Sequence, residues 1–167
     1  MEKKNTKKDN RTLTSNMEDY LETIYVLDLR NETVRVRDIG ALMDVKKSSV
    51  NNAINVLLEM DLVKHEKYGC VILTIEGRKI SKAIKKKHDL LVRFLKDILG
   101  VDEESAVEDA CRIEHVISPV TNDRLKKFIE FVDTCPTGER PEWLDSLEYY
   151  MKKGKRPKKC STKAEKK

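Results

Sequence analysis

Apolar residues recur at helical spacing from Met17 onward. Met17, Tyr20, Leu21, Ile24 and Leu27 form one stripe, predicting a first helix that Thr14 or Ser15 can cap and that ends near Arg30-Asn31. Val34-Arg35-Val36 reads as a short extended piece. A second short helix follows from Arg37 to Met43, with Ile39 and Leu42 turned inward and Asp44-Val45-Lys46 as its closing turn. The third helix runs from about Lys47 to Met60. Its Val50, Ile54, Leu57 and Leu58 fall at i, i+4, i+7 and i+8, which leaves Asn51, Asn52 and Asn55 outside the apolar stripe. The runs Leu62–Glu66 and Cys70–Thr74 alternate like strands and join through Lys67-Tyr68-Gly69, a hairpin. Three helices followed by a two-stranded wing make a winged helix-turn-helix. Beyond it everything reads as helix. A long one starts at Ile75, uses Ile80, Ile84, Leu91, Phe94, Leu95 and Ile98, and stops at Gly100. A fifth spans Glu103 to Ser118, and a sixth spans Asn122 to about Val132 through Leu125, Phe128, Ile129 and Val132. A last segment, Pro141 to Met151, is helical around Trp143 and Leu147.

Composition narrows the setting. Of 167 residues, 38 % are charged, and no run approaches the roughly 18 apolar residues of a spanning helix. The N-terminus lacks the apolar core of a signal peptide, so a soluble cytoplasmic protein is expected. Cys70, Cys111, Cys135 and Cys160 are too sparse for a disulfide framework and are read singly, with Cys70 as a small core residue, Cys135 packed in a turn and Cys160 free. The net charge of +5 is unevenly held. Residues 1–13 carry +3 and residues 151–167 carry +8, leaving −6 on the body between them. Arg35 to His88 is a basic half and residues 100–150 an acidic one. A basic half suits phosphates, and an acidic half suits a divalent cation.

Two constellations carry the chemistry. In a helix-turn-helix the second helix presents its early residues to base edges. Those are Lys46, Lys47, Ser48, Ser49, Asn51 and Asn52 here, with Arg35 and Arg37 as basic neighbours. Asn can bond adenine through two groups, while hydroxyls and cations hold phosphates. The second constellation is Cys111-Arg112-Ile113-Glu114-His115, whose i, i+3, i+4 spacing puts a thiolate, a carboxylate and an imidazole on one helical face. Asp19 and Glu22, again i and i+3, and His88 supply further donor types. Without a meeting of these helices, the same residues are a polar seam.

From Met17 to Val132 the chain resembles the diphtheria-toxin-repressor family of metal-activated regulators, in its shorter manganese-transport-regulator form. The fingerprints are the stretch from Met17 to Tyr25, Ser48-Ser49-Val50, Leu73-Thr74-Ile75-Glu76-Gly77, the pair Lys87-His88, and Ala110 to Val116. The resemblance implies a mainly α protein. Its winged helix-turn-helix is followed by an all-helical dimerisation and metal-binding domain, with no SH3-like third domain. It implies a homodimer on a palindromic double-stranded operator, no membrane, and a divalent metal as corepressor. It also implies that Asp19, Glu22, His88, Cys111, Glu114 and His115 correspond to metal ligands. The corresponding division is a disordered basic arm over 1–13, a DNA-binding domain over 14–83, the helical domain over 84–150 and a basic disordered tail over 151–167.

The chain is a hybrid of two branches of that family. It resembles the manganese branch at Asp19, Glu22 and His88 and the iron branch at Cys111, Glu114 and His115. A thiolate favours Fe²⁺, Co²⁺, Ni²⁺ or Zn²⁺ over Mn²⁺, and added carboxylates pull back toward hard ions. Iron is expected first, manganese close behind, with the other three able to bind in vitro. The ancillary site of the iron branch falls on Val92 and Val107 and is expected to be absent in that form, which leaves open a binuclear arrangement through Asp19, Glu22 and the face of the fifth helix, with Glu108 as a reserve ligand. Lys46 stands where the family often has a capping Ser. Two rival readings are a winged-helix regulator with redox sensing at Cys111 and, further off, a zinc-dependent hydrolase using Glu114 and His115.

Overall fold

A computed structural model describes residues 13–30, 33–66, 69–134 and 141–157. Cys135, Cys160, most of the expected basic arm and the end of the expected tail lie outside the described residues. The chain divides into two compact units, Met1–Lys85 and Lys86–Lys167.

In the first unit α1 spans Ser15–Leu29, and Thr14 is its cap, accepting from the Met17 N–H at 3.4 Å. Helix α2 is Val36–Met43 and α3 is Lys47–Glu59, joined across Asp44, which adopts the left-handed conformation at φ 52°. A β-carbon on Gly40 would lie 3.1 Å from the Val45 carbonyl, so the elbow between the two helices is tight. Strands β1, Val63–His65, and β2, Val71–Leu73, pair antiparallel with Val63 opposite Leu73. A single bridge from Arg35 to Cys70 extends the wing toward the start of α2. Leu21, Ile24, Ile39, Val50, Ile54, Leu57 and Val63 are essentially inaccessible, and together they form the core predicted from the stripes. Leu42 is the exception. It is 47 % exposed, because in the eight-residue α2 Ile39 is the buried position and Leu42 falls in the last turn beside the elbow.

Helix α4, Ile75–Arg93, begins in the first unit and ends in the second. The Leu73-Thr74-Ile75-Glu76-Gly77 fingerprint has a structural cause at its start. Thr74 Oγ1 donates to the Asp61 carbonyl at 2.8 Å and accepts from the Gly77 N–H at 3.0 Å, while a β-carbon on Gly77 would sit 1.9 Å from the Leu62 carbonyl oxygen. Only glycine allows that approach.

The predicted long helix is regular only to Arg93. Phe94–Ile98 is a π-helical turn, and Gly100, at φ 70°, closes it. Helix α5 is Glu103–Glu114, with Asp102 as its cap, so it stops short of the expected Ser118 and leaves His115 at its C-terminal cap. Helix α6 is Pro119–Asp133 and starts before the expected Asn122. The reason is Ser118-Pro119. Ser118 Oγ accepts from the Thr121 N–H at 3.2 Å, and proline, with its fixed φ, is well suited to the first helical position. Helix α7 is Glu142–Lys153. Ile98, Val132 and Leu144 are the buried centre of this unit, and Phe128 stacks edge-on to Phe94 and tilted against Trp143 at centroid distances of 6.1 and 6.2 Å. Cys70 is half-buried.

Candidate metal-binding and DNA-reading residues

Helix α1 places Asp19 and Glu22 one turn apart on one face, both partly buried. Glu22 is engaged within its own unit, with Oε1 3.8 Å from the Lys85 ammonium. The Asp19 charge is felt next door. Burial first, and then that charge, push the Tyr20 phenol above its ordinary value. Sequence reasoning missed Lys85 because it sits in the run Lys85-Lys86-Lys87, where nothing in the spacing singles out one lysine.

In the second unit the end of α5 carries a fully buried carboxylate. Glu114 is 1 % exposed, and its Oε2 lies 2.8 Å from His88 Nδ1 on α4. With the carboxylate ionised, the proton of His88 belongs on Nδ1. The other oxygen, Oε1, has no hydrogen-bond partner. His115 Nε2 stands 3.6 Å from it, beyond hydrogen-bonding range. An unsatisfied buried acceptor costs on the order of 1–3 kcal/mol, more when charged, and a cation at that oxygen removes the penalty. Carboxylate and imidazoles form a donor set that suits a divalent transition metal, so the residues present fit one. Cys111, one turn before His115, is exposed on α5. Glu108, the reserve ligand, is ion-paired to Arg112. The structure thus sets His88 and His115 beside Glu114 within one unit, and His115, although it is the C-terminal cap of α5, keeps helical backbone angles (φ −82°, ψ −18°) and a ligand nitrogen within 4.8 Å of the Cys111 sulfur, as the i, i+4 spacing predicts.

The DNA-reading candidates are all exposed. Lys46 caps α3 through its carbonyl, which accepts from Ser49 and Val50, and its side chain makes no capping bond. Lys47, Ser48, Ser49, Asn51 and Asn52 line the solvent side of α3. Arg35 precedes α2, and Arg37 pairs with Asp38 at 3.1 Å. The buried stripe of Val50, Ala53, Ile54 and Leu57 fixes this orientation, because it anchors the opposite face.

A cleft of about 860 Å³ in the second unit is lined by Arg93, Asp97, Gly100, Val132, Leu144 and Met151 among others, and by none of the candidate ligands. Its cations Arg93, Lys96 and Lys152 are paired with Asp133, Glu103 and Glu148. No helix among the described residues is long and apolar enough to cross a membrane.

Comparison with known proteins also finds two parts, with the break after the wing rather than at Lys85. Residues 12–71 match the family model described as the N-terminal DNA-binding domain of iron-dependent repressors, and residues 74–142 match their metal-binding and dimerisation domain. An HTH-type transcriptional regulator MntR from Bacillus pumilus is 39 % identical over 120 residues, covering 72 % of this chain and 83 % of that one. An uncharacterised HTH-type transcriptional regulator from Methanocaldococcus jannaschii is 35 % identical over 119 residues, covering 71 % and 95 %. Among solved structures, the manganese regulator SloR superposes with a TM-score of 0.64 at 32 % identity over 78 % of this chain, and IdeR of T. acidophilum with 0.62 at 28 % over 78 %. The chain spans 60 % of the length of each of these two solved chains.

Proposed function

Since the chain belongs to the iron-dependent repressor family of metal-dependent transcriptional regulators, we propose that Asp19, Glu22, His88, Cys111, Glu114 and His115 hold its corepressor metal and that the exposed side of α3 reads its operator. The protein is a metal-activated repressor rather than an enzyme. It binds double-stranded DNA as a homodimer and acts in the cytoplasm, where that DNA is. The observation that carries the metal reading is the orphaned Oε1 of buried Glu114, 3.6 Å from His115 Nε2, on a carboxylate whose Oε2 meets His88.

A bound divalent ion supplies positive charge that offsets the carboxylates and satisfies the orphaned oxygen. Everything else is done by the chain. Glu114 fixes the His88 tautomer through Nδ1. Asp19 and Glu22 contribute hard oxygen donors, and Cys111 contributes a soft thiolate. Lys47, Ser48 and Ser49 hold phosphates at the start of α3, while Asn51 and Asn52 meet base edges, with Arg35, Arg37 and Lys46 adding backbone contacts. Exposed Val116, Val120 and Phe131 on the second unit, at 81, 70 and 68 %, provide apolar surface for a partner subunit to cover. A two-fold dimer implies a palindromic operator, with half-sites one helical turn apart.

The regulators and structures to which the chain is similar are named for manganese more often than for iron, which moves Mn²⁺ ahead of the Fe²⁺ that Cys111 alone favours. Capture of fragmented genomic DNA by the full chain, with Mn²⁺, with Fe²⁺ and with chelator, tests the reading. Metal should enrich a small set of palindromic sites with a 5–150-fold gain in affinity, the usual range for allosteric coupling. Equal capture with metal and chelator would refute it.

A further inference from the structure

We infer that Lys85 is a resident counter-cation for Glu22, one that a divalent metal has to displace, so that it raises the metal concentration at which the repressor responds. This rests on the metal-binding reading above. The observation is an ion pair inside the first unit, with Glu22 Oε1 3.8 Å from the Lys85 ammonium.

Lys79, Lys96, Lys126, Lys127 and Lys152 also pair with carboxylates, but their side chains are 44–77 % exposed. The Lys85 side chain is 28 % exposed and that of Glu22 16 %. On α4 Lys82 and Lys86 face solvent, and Lys85 between them is drawn in. Ordering a lysine side chain costs rotamer entropy and covering its charge costs solvation, so an opposite charge has to compensate. That charge is on α1. Asp19 and Glu22 lie one turn apart on one face, like charges that oppose one another in a partly buried setting. The Lys85 ammonium offsets part of that charge in the bare protein.

A separation of 3.8 Å is ionic rather than hydrogen-bonded, so the pair is held by charge and yields to a stronger one. A divalent ion on Glu22 brings two positive charges to an oxygen that already faces one, and the cations repel. The flexible four-carbon stem lets Lys85 swing out without backbone movement. Lys85 also lies one turn before His88 on α4, so the ammonium and a proposed ligand leave the helix on the same side. The metal affinity that a titration reads is then the intrinsic one, reduced by the fraction of molecules in which Glu22 is engaged by Lys85.

The test is calorimetric titration of the chelator-stripped full chain with Mn²⁺, beside Lys85→Met, Lys85→Gln and Lys85→Arg. The first two remove the charge, one with an apolar and one with a polar side chain. Both should bind Mn²⁺ about fivefold more tightly than the parent, the upper end for a partly exposed ion pair. The rise in melting temperature on adding Mn²⁺ should be larger in them as well. Lys85→Arg keeps the charge and should bind no more tightly than the parent. If Lys85→Met fails to fold, Lys85→Gln carries the comparison. Neutral variants that bind Mn²⁺ as the parent does, or more weakly, would overturn this inference alone, since Lys85 would then only pack or hold Glu22 in place. A gain shared by Lys85→Arg would overturn it too, because charge would not be its cause. A parent chain and variants that all fail to bind Mn²⁺ would overturn it together with the metal-binding reading.

Discussion

His88 Nδ1 lies 2.8 Å from Oε2 of Glu114, a contact between residues 26 apart in sequence that ties α4 to the end of α5. The carboxylate it holds is inaccessible to solvent and is satisfied on one oxygen only. A group in that state is costly to the bare protein and ready for a cation.

Glu114→Gln keeps the size of the side chain and an acceptor for His88 but removes the charge. Affinity for Mn²⁺ and Fe²⁺ should fall by more than about tenfold, the lower end of the loss when a group that merely orients a ligand is removed. Thermal stability of the metal-free protein should not fall by a comparable amount, since the orphaned charge goes with the substitution. Metal titration and a melting curve on the same sample check both halves.

Gly77→Ala should destabilise the first unit. The added carbon would meet the Leu62 carbonyl oxygen at 1.9 Å, and backbone cannot swing aside as a side-chain tip can. A loss of about 1–3 kcal/mol or more is expected, the range for overpacking, and denaturant unfolding measures it. Leu57→Ala, in the same core, should cost roughly 2–5 kcal/mol for its cavity.

On α3 two kinds of loss should separate. Asn51→Ala or Asn52→Ala should relax specificity at one base position, costing about 1–3 kcal/mol on the preferred operator and little on others. Lys47→Ala should weaken all sequences alike and lower the salt slope by roughly 1. Binding to matched and mismatched operators across a salt series distinguishes them.

Arg93 donates twice to Asp133, joining α4 to α6, and this pairing first of all holds the Asp133 carboxyl below its usual range. A depressed carboxylate adds stability that is present above the unfolded value, about 3.9, and is lost as pH falls through the lower folded value. Both side chains are about two-fifths exposed or more, so the pair is worth no more than roughly 1 kcal/mol. Asp133→Asn should therefore lower stability slightly at pH 6 and not at all near pH 2, as denaturant midpoints at the two values will show.

The winged helix-turn-helix was legible because its stripes are clean. Val50, Ile54 and Leu57 sit inside, and Asn51, Asn52 and Asn55 sit outside, as their spacing requires. The limits of α5 and α6 were not legible, since Ser118-Pro119 serves equally as the stop of one helix and the cap and first turn of the next. The Cys111, Glu114 and His115 spacing identified a face but not its fate. One turn separates an exposed thiol from a buried carboxylate, and the helix ends before His115. The partner of Glu114 lies on another helix, where no local periodicity points. The π-helical turn at Phe94–Ile98 left no mark on the apolar pattern, because its stripe reads the same in an α-helix.

Anaerobic calorimetric titration of the chelator-stripped full chain with Mn²⁺ and Fe²⁺, beside His88→Ala and Cys111→Ala, tests the central claim most directly. The account predicts saturable binding of both ions by the parent chain, large losses for both in His88→Ala, and a loss in Cys111→Ala that is greater for Fe²⁺ than for Mn²⁺. Absence of saturable binding, or binding unchanged in both variants, would contradict it and return these residues to a polar seam.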